Sequence, residues 1–247
     1  MNKNKNERFW EIDFLRGIAI IMMIIYHILY DFNSFDVYRI NLYAIPFRLF
    51  LYPIGTIFLF LVGVSLSLSY SRVKNDLSDK EIWFKFIKRG LMIFGLGLVI
   101  TIFTWLFLEK GYVVFGVLHC IGLSIILSVP FLKDRIYNVS LGLILISIGI
   151  ILRTMIFDFS YLLWLGFIPT GFYTVDYFPI LPWFGVVLIG IFVGDTFYKD
   201  YKRRFHINDF SGFKFVKLFC FLGRHSLLIY FVHQPVILSL IYVFYLS

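Results

Sequence analysis

Four ionisable side chains, Asp13, Arg16, His27 and Asp31, interrupt an otherwise apolar stretch near the start of the chain. On a 3.6-residue helical period, with His27 set at zero, Arg16 falls at about −20° and both aspartates at about +40°, so the four share one stripe. An ionisable group in hydrocarbon costs about 2.5–3.5 kcal/mol even on the lenient insertion scale. A stripe of four therefore faces a protein-lined or water-lined interior. His27 sits between Tyr26 and Tyr30, with a carboxylate one turn further on. An imidazole oriented by a carboxylate is the usual form of a general base near neutral pH, so His27 is the expected base and Asp31 the group expected to hold its ring. Asp13 is expected to pair with Arg16, because a carboxylate at that depth needs a partner.

Two more histidines lie on later apolar segments. His27 stands ~16 Å along a helix from Arg16, and His233 stands ~13 Å from Arg224. His119, following the turn Glu109-Lys110-Gly111, reaches a depth of ~12–15 Å from the outer surface, comparable to that of His27. The expectation is that His119 converges with His27 and that His233 lines the same passage. The plain alternative for each is an interhelical hydrogen bond, which averages ~0.6 kcal/mol in one measured system.

These residues need membrane helices to position them. Of 247 residues, 60% are hydrophobic and only 15% are charged, against a usual ~25% charged for soluble domains. Apolar runs at 14–32, 46–70, 90–108, 113–132, 138–156, 177–198 and 225–246 are close to the ~20 residues a spanning helix needs. The expected fold is all-α, a polytopic membrane bundle of about seven transmembrane helices. The aromatic stretch 157–176, broken by Pro169 and Gly171, reads as a re-entrant or surface loop. Segments 1–16, 71–89, 133–138 and 199–224 hold 19 of the 23 Lys and Arg residues, leaving Arg39, Arg48, Lys110 and Arg153 for the other side. The N-terminus is therefore expected inside and the C-terminus outside.

The net charge of +8 is explained by this topology and by anionic lipid headgroups, with no nucleic-acid partner. The first apolar run carries Arg16 and His27 and lacks a small-x-small exit, so it reads as a retained helix and not a cleaved signal. Residues 79–89 mix aromatic and basic side chains and are expected to lie along the inner surface before turning into the third span. Cys120 and Cys220 show no metal-ligand or disulfide spacing and read as core fillers, and no metal is expected. With no repeat and no long polar loop, residues 1–247 form a single expected integral-membrane domain.

The run Glu11-Ile12-Asp13-Phe14-Leu15-Arg16-Gly17-Ile18-Ala19, with Met22, Met23, Tyr26 and His27 after it, resembles the opening of the heparan-α-glucosaminide N-acetyltransferase family and its shorter prokaryotic members. Val117-Leu118-His119-Cys120-Ile121-Gly122-Leu123 resembles a middle-helix motif of that family. Tyr177-Phe178-Pro179-Ile180-Leu181-Pro182-Trp183-Phe184-Gly185 resembles its Pro-Trp-x-Gly helix. The end, Leu222-Gly223-Arg224-His225-Ser226 through His233-Gln234-Pro235, is similar to the closing helix of wider membrane acyltransferases.

The resemblance implies an enzyme of the plasma membrane that passes acetyl from cytosolic acetyl-CoA to an external acceptor. The phosphates of CoA want cations at the inner mouth, and Arg16, Arg72, Lys88, Arg89 and Arg224 all lie at expected inner ends, with His233 further along the channel. In this scheme His27 deprotonates the acceptor, Asp31 holds the ring, and His119 or a tyrosine stabilises the oxyanion; an acetyl-histidine route stays open. Larger family members carry a luminal domain and a catalytic histidine in the loop after the first helix, whereas loop 33–45 here has no histidine. The expected acceptor is accordingly an amine or hydroxyl of a sugar or cell-envelope glycan and not a glycosaminoglycan. A homodimer is compatible with the resemblance. A retinal photoreceptor would need a lysine in the last span, and the final lysine, Lys217, precedes it. A proton-coupled small-molecule transporter is the alternative that buried His and Asp residues leave open.

Overall fold

The computed structural model describes residues 8–38, 41, 44–133 and 135–246. Arg39 and the side chain of Arg48, two of the four cations assigned to the outer side, lie outside the described residues. Eight α-helices occur among the described residues: α1 Trp10–Ser34, α2 Ile45–Val73, α3 Asp79–Phe107, α4 Val117–Leu127, α5 Arg135–Leu152, α6 Ile180–Phe197, α7 Lys214–Arg224 and α8 Ser226–Ile241. No strand occurs among the described residues, so the all-α expectation holds. Among the described residues, five segments are long and apolar enough to cross a membrane: Trp10–Ser34, Pro53–Val73, Asp79–Phe107, Ile180–Phe197 and Ser226–Tyr245.

The remaining two expected spans are shorter. The run 113–132 folds as only 11 helical residues, Val117–Leu127, or ~16 Å of helix against ~30 Å of hydrocarbon. Pro130 has no N–H for an α-helical bond, and the chain passes into a 3-10 turn over Val129–Leu132. The run 138–156 ends as a helix at Leu152, where Thr154 and Met155 turn back onto Ile151 and Leu152. Residues 79–89 do not turn before the third span. They are the first three turns of one continuous helix, α3, started by a capping box in which Glu81 accepts from the Ser78 backbone and Ser78 Oγ accepts from Glu81 N–H. Lipid-facing character runs along α3: Leu91, Met92, Ile102, Phe103 and Leu106 all stay exposed. The stretch 157–176 holds only a 3-10 turn, Leu163–Leu165.

The chain divides into two compact units, one of residues Met1–Phe58 with Ile207–Ser247 and the other of Leu59–His206. In the first unit α1 crosses α7 and α8. The α1–α7 crossing is close because both partners are glycine: a Cβ on Gly17 would sit 2.1 Å from the Phe219 carbonyl oxygen, and one on Gly223 would sit 1.8 Å from that of Asp13. Small residues are how membrane helices approach backbone to backbone. Above the crossing, Ile20, Met23 and Ile54 form a buried cluster, with Ile229 and Tyr230 of α8 packed against it.

In the second unit α6 is the central helix. Gly63 and Gly190 bring its backbone against α2, with the Val187 and Phe60 carbonyls where their Cβ atoms would be. Gly90 and Gly122 do the same for α3 and α4. Both cysteines are free and buried, as expected of core fillers.

Candidate active site

At one end of α1, Asp13 is buried and faces two guanidinium groups. Arg16 Nη1 donates to Asp13 Oδ1 at 3.1 Å, and Arg224 Nε lies 3.4 Å from Asp13 Oδ2. The first contact is the expected i, i+3 pair. The second exists because Gly223, next to Arg224, lets α7 sit on the Asp13 backbone. Two of the expected anion-binding arginines thus share one carboxylate, which fixes their orientation.

Along the same two chain segments lies an imidazole pair. His27 and His233 have ring centroids 4.6 Å apart with planes inclined at 75°. His27 Nδ1 bonds the Met23 carbonyl at 2.9 Å, and His233 Nδ1 bonds the Tyr230 carbonyl at 2.6 Å. A carbonyl oxygen only accepts, so both Nδ1 atoms carry a proton, and in the neutral rings both Nε2 atoms present a lone pair. His233 Nε2 is buried without a hydrogen-bond partner among the described residues. Tyr26 and Tyr230 flank the pair, with ring centroids 5.2 Å from His27 and 5.5 Å from His233.

Asp31 does not hold the His27 ring. Its angular offset from His27 on α1 carries the carboxylate to α8, where Gln234 Nε2 donates to both oxygens at 3.0 and 2.9 Å. The ring is oriented by its own helix through Met23 instead. Gln234 was visible in the sequence only as the neighbour of His233, and nothing in its spacing distinguished it from a helix-surface amide.

His119 belongs to the second unit. Its Nδ1 accepts from the Gly116 N–H at 3.2 Å, so its Nε2 carries the proton, 3.4 Å from Thr101 Oγ1. Both nitrogens are engaged, and Phe94, Phe115 and Gly97 enclose the ring. The arrangement ties the start of α4 to α3. Asp176 completes it from a distant loop, accepting from Val117 N–H at 3.0 Å, a bond usually supplied by the residue before a helix. In the same unit Arg72 stacks over the Tyr201 ring at 4.3 Å and donates to its hydroxyl. Lys88 and Arg89 project from α3, exposed. Beyond the helices, burial pushes the Tyr177 phenol up to about 12, with Arg153 pulling it back. The Tyr177 hydroxyl donates to the Leu163 carbonyl at 2.8 Å. The hydrogen bond from Lys74 holds Asp200 below the usual carboxylate value.

A family model described as heparan-alpha-glucosaminide N-acetyltransferase, catalytic, matches residues 8–235. That range includes the Asp13–Arg16–Arg224 cluster, both histidines of the pair, Asp31 and Gln234. No curated protein and no solved structure matches the chain.

Proposed function

Since the chain belongs to the heparan-alpha-glucosaminide N-acetyltransferase catalytic family, we propose that it transfers acetyl from cytosolic acetyl-CoA, across the membrane, to an external acceptor. The acceptor is an amine or hydroxyl of a sugar or cell-envelope glycan. The observation that carries this reading is the first unit's pair of features: a cationic cluster at Arg16 and Arg224, and two imidazoles with free Nε2 lone pairs further along α1 and α8. Their separation along the helices is ~13–16 Å. A donor with phosphates at one end and a thioester at the end of a long arm matches that spacing.

Arg16 and Arg224 hold the phosphates, oriented by Asp13. His27 Nε2 removes the acceptor proton as the nucleophile meets the thioester carbonyl. A tyrosine beside it on α1, Tyr26 or Tyr30, is the proposed donor to the developing oxyanion. His119, with both nitrogens engaged, positions α4. The five long helices, α5, and α4 together with the extended residues before it and the 3-10 turn after it make the seven crossings of a protein with its N-terminus in the cytosol. Residues 1–247 act as one integral-membrane domain of the plasma membrane.

The test is transfer itself. Protein in liposomes, given labelled acetyl-CoA on the side of residues 71–89 and a pool of amino sugars on the other, acetylates the pool. Label that stays with CoA in protein-containing and empty vesicles alike rejects the proposal.

A further inference from the structure

Several acceptors around the imidazole pair have unused capacity. Asp31 is 3% exposed, and its carboxylate receives two bonds, both from one amide nitrogen. A carboxylate has about four lone-pair positions, so part of its capacity is unused. Because Gln234 turns its nitrogen to that carboxylate, its Oε1 points away, and this oxygen is buried with no partner among the described residues. His233 Nε2 is orphaned in the same way, and His27 has its only N–H on Met23. Asp31 and His27 are one turn apart on α1, while His233 and Gln234 are neighbours on α8, so the four sit at one level. Among the described residues, no lysine or arginine bonds any of them. A buried carboxylate without a cation is costly to keep, and several orphaned acceptors beside it ask for a ligand that is cationic and rich in N–H.

We infer that Asp31 and Gln234 form the seat of a primary ammonium group, which makes them the residues that select an amine acceptor over a hydroxyl. This rests on the acyltransferase reading above. Proton bookkeeping agrees with it. An ammonium becomes an amide by losing two protons as the C–N bond forms and the C–S bond breaks; one leaves on the CoA thiol and one is released. An alcohol loses only one, which the thiol carries away. Two imidazoles with free Nε2 atoms suit the first case: His27 takes the proton that frees the amine lone pair, and His233 takes the second as the amide forms. His27 then protonates the departing thiolate. Asp31 binds and orients the ammonium, and Gln234 holds Asp31.

The experiment is thermal stabilisation of the detergent-purified full chain by methylammonium, glucosamine, glucose and sodium, each as the chloride where charged, with acetyl-CoA measured in parallel. The inference expects methylammonium and glucosamine to raise the melting temperature, glucose and sodium to leave it unchanged, and Asp31→Asn to lose the ammonium shift while keeping the acetyl-CoA shift. Gln234→Leu, which leaves the carboxylate in place, weakens the ammonium shift less than Asp31→Asn does. No methylammonium shift in the wild-type chain overturns the inference, as does a sodium shift of equal size, which would mark an alkali-cation seat. Loss of the acetyl-CoA shift in the wild-type chain would instead reject the acyltransferase reading itself.

Discussion

His27 and His233 face one another at 4.6 Å between ring centroids, each with its Nδ1 proton given to a backbone carbonyl of its own helix. Neither ring needs a carboxylate to fix its tautomer, because Met23 and Tyr230 do so. The lone pairs that remain are the ones a proton-transfer reaction uses.

Replacing the two rings singly separates their roles. His27→Ala is expected to lower acetyl transfer by about 10²–10⁴-fold, the range for removing a general base, while acetyl-CoA still stabilises the protein. His233→Ala is expected to lower turnover without changing that stabilisation, and the double variant to be no worse than the more severe single one. Single-turnover kinetics on the three proteins checks this; full activity in His27→Ala moves the chemistry elsewhere.

Arg16→Ala and Arg224→Ala are expected to weaken acetyl-CoA binding before they affect turnover at saturation, since phosphate contacts made equally in ground and transition states act on KM. Each also removes one of the two guanidinium ion pairs that Asp13 makes with Arg16 and Arg224. Titrating the rate against acetyl-CoA concentration separates the effects: a kcat loss at unchanged KM contradicts the assignment.

The α1–α7 crossing gives a stability test remote from the chemistry. A Cβ at Gly223 meets the Asp13 carbonyl oxygen at 1.8 Å, so Gly223→Val forces the helices apart. Overpacking of this kind costs about 1–3 kcal/mol. The melting temperature falls, and acetyl-CoA binding falls with it because Arg224 leaves Asp13. Gly212→Val, where no atom lies within 4 Å of the added Cβ, is the control and is expected to melt like the wild type.

Asp176 lies 59 residues from Val117, whose N–H it accepts. Asp176→Ala removes this remote cap and is expected to cost about 0.5–2 kcal/mol. Hydrogen exchange reads it out: the first turn of α4 exchanges faster while α1 and α8 are unaffected. Equal exchange throughout contradicts the capping role.

Much of this was legible in the chain because one helix carries it. Asp13, Arg16 and His27 follow from a single period of 3.6 residues, and their apolar surroundings demanded an interior use. The partners from other helices were not legible. The Asp31–Gln234 bond depends on the rotation of α8 against α1, and the Arg224–Asp13 contact depends on a glycine crossing that only the packed helices reveal. The bonds His119 makes at the start of α4 were not legible either. A histidine three residues into a helix can bond back to its first turn, and this satisfies the ring without a substrate. Residues 113–132 had the apolar length of a span, but Pro130 and the extended approach before Val117 cut the helix to 11 residues.

The central claim is that the Arg16–Arg224 end of this chain binds acetyl-CoA. Thermal stabilisation of the purified protein by acetyl-CoA, CoA and ATP tests it most directly, since a ligand that binds only the folded state raises stability with occupancy. The account predicts a shift with both CoA species, absent with ATP and diminished in Arg16→Ala. No shift with either CoA species would contradict it and leave the buried histidines to a proton-coupled transporter.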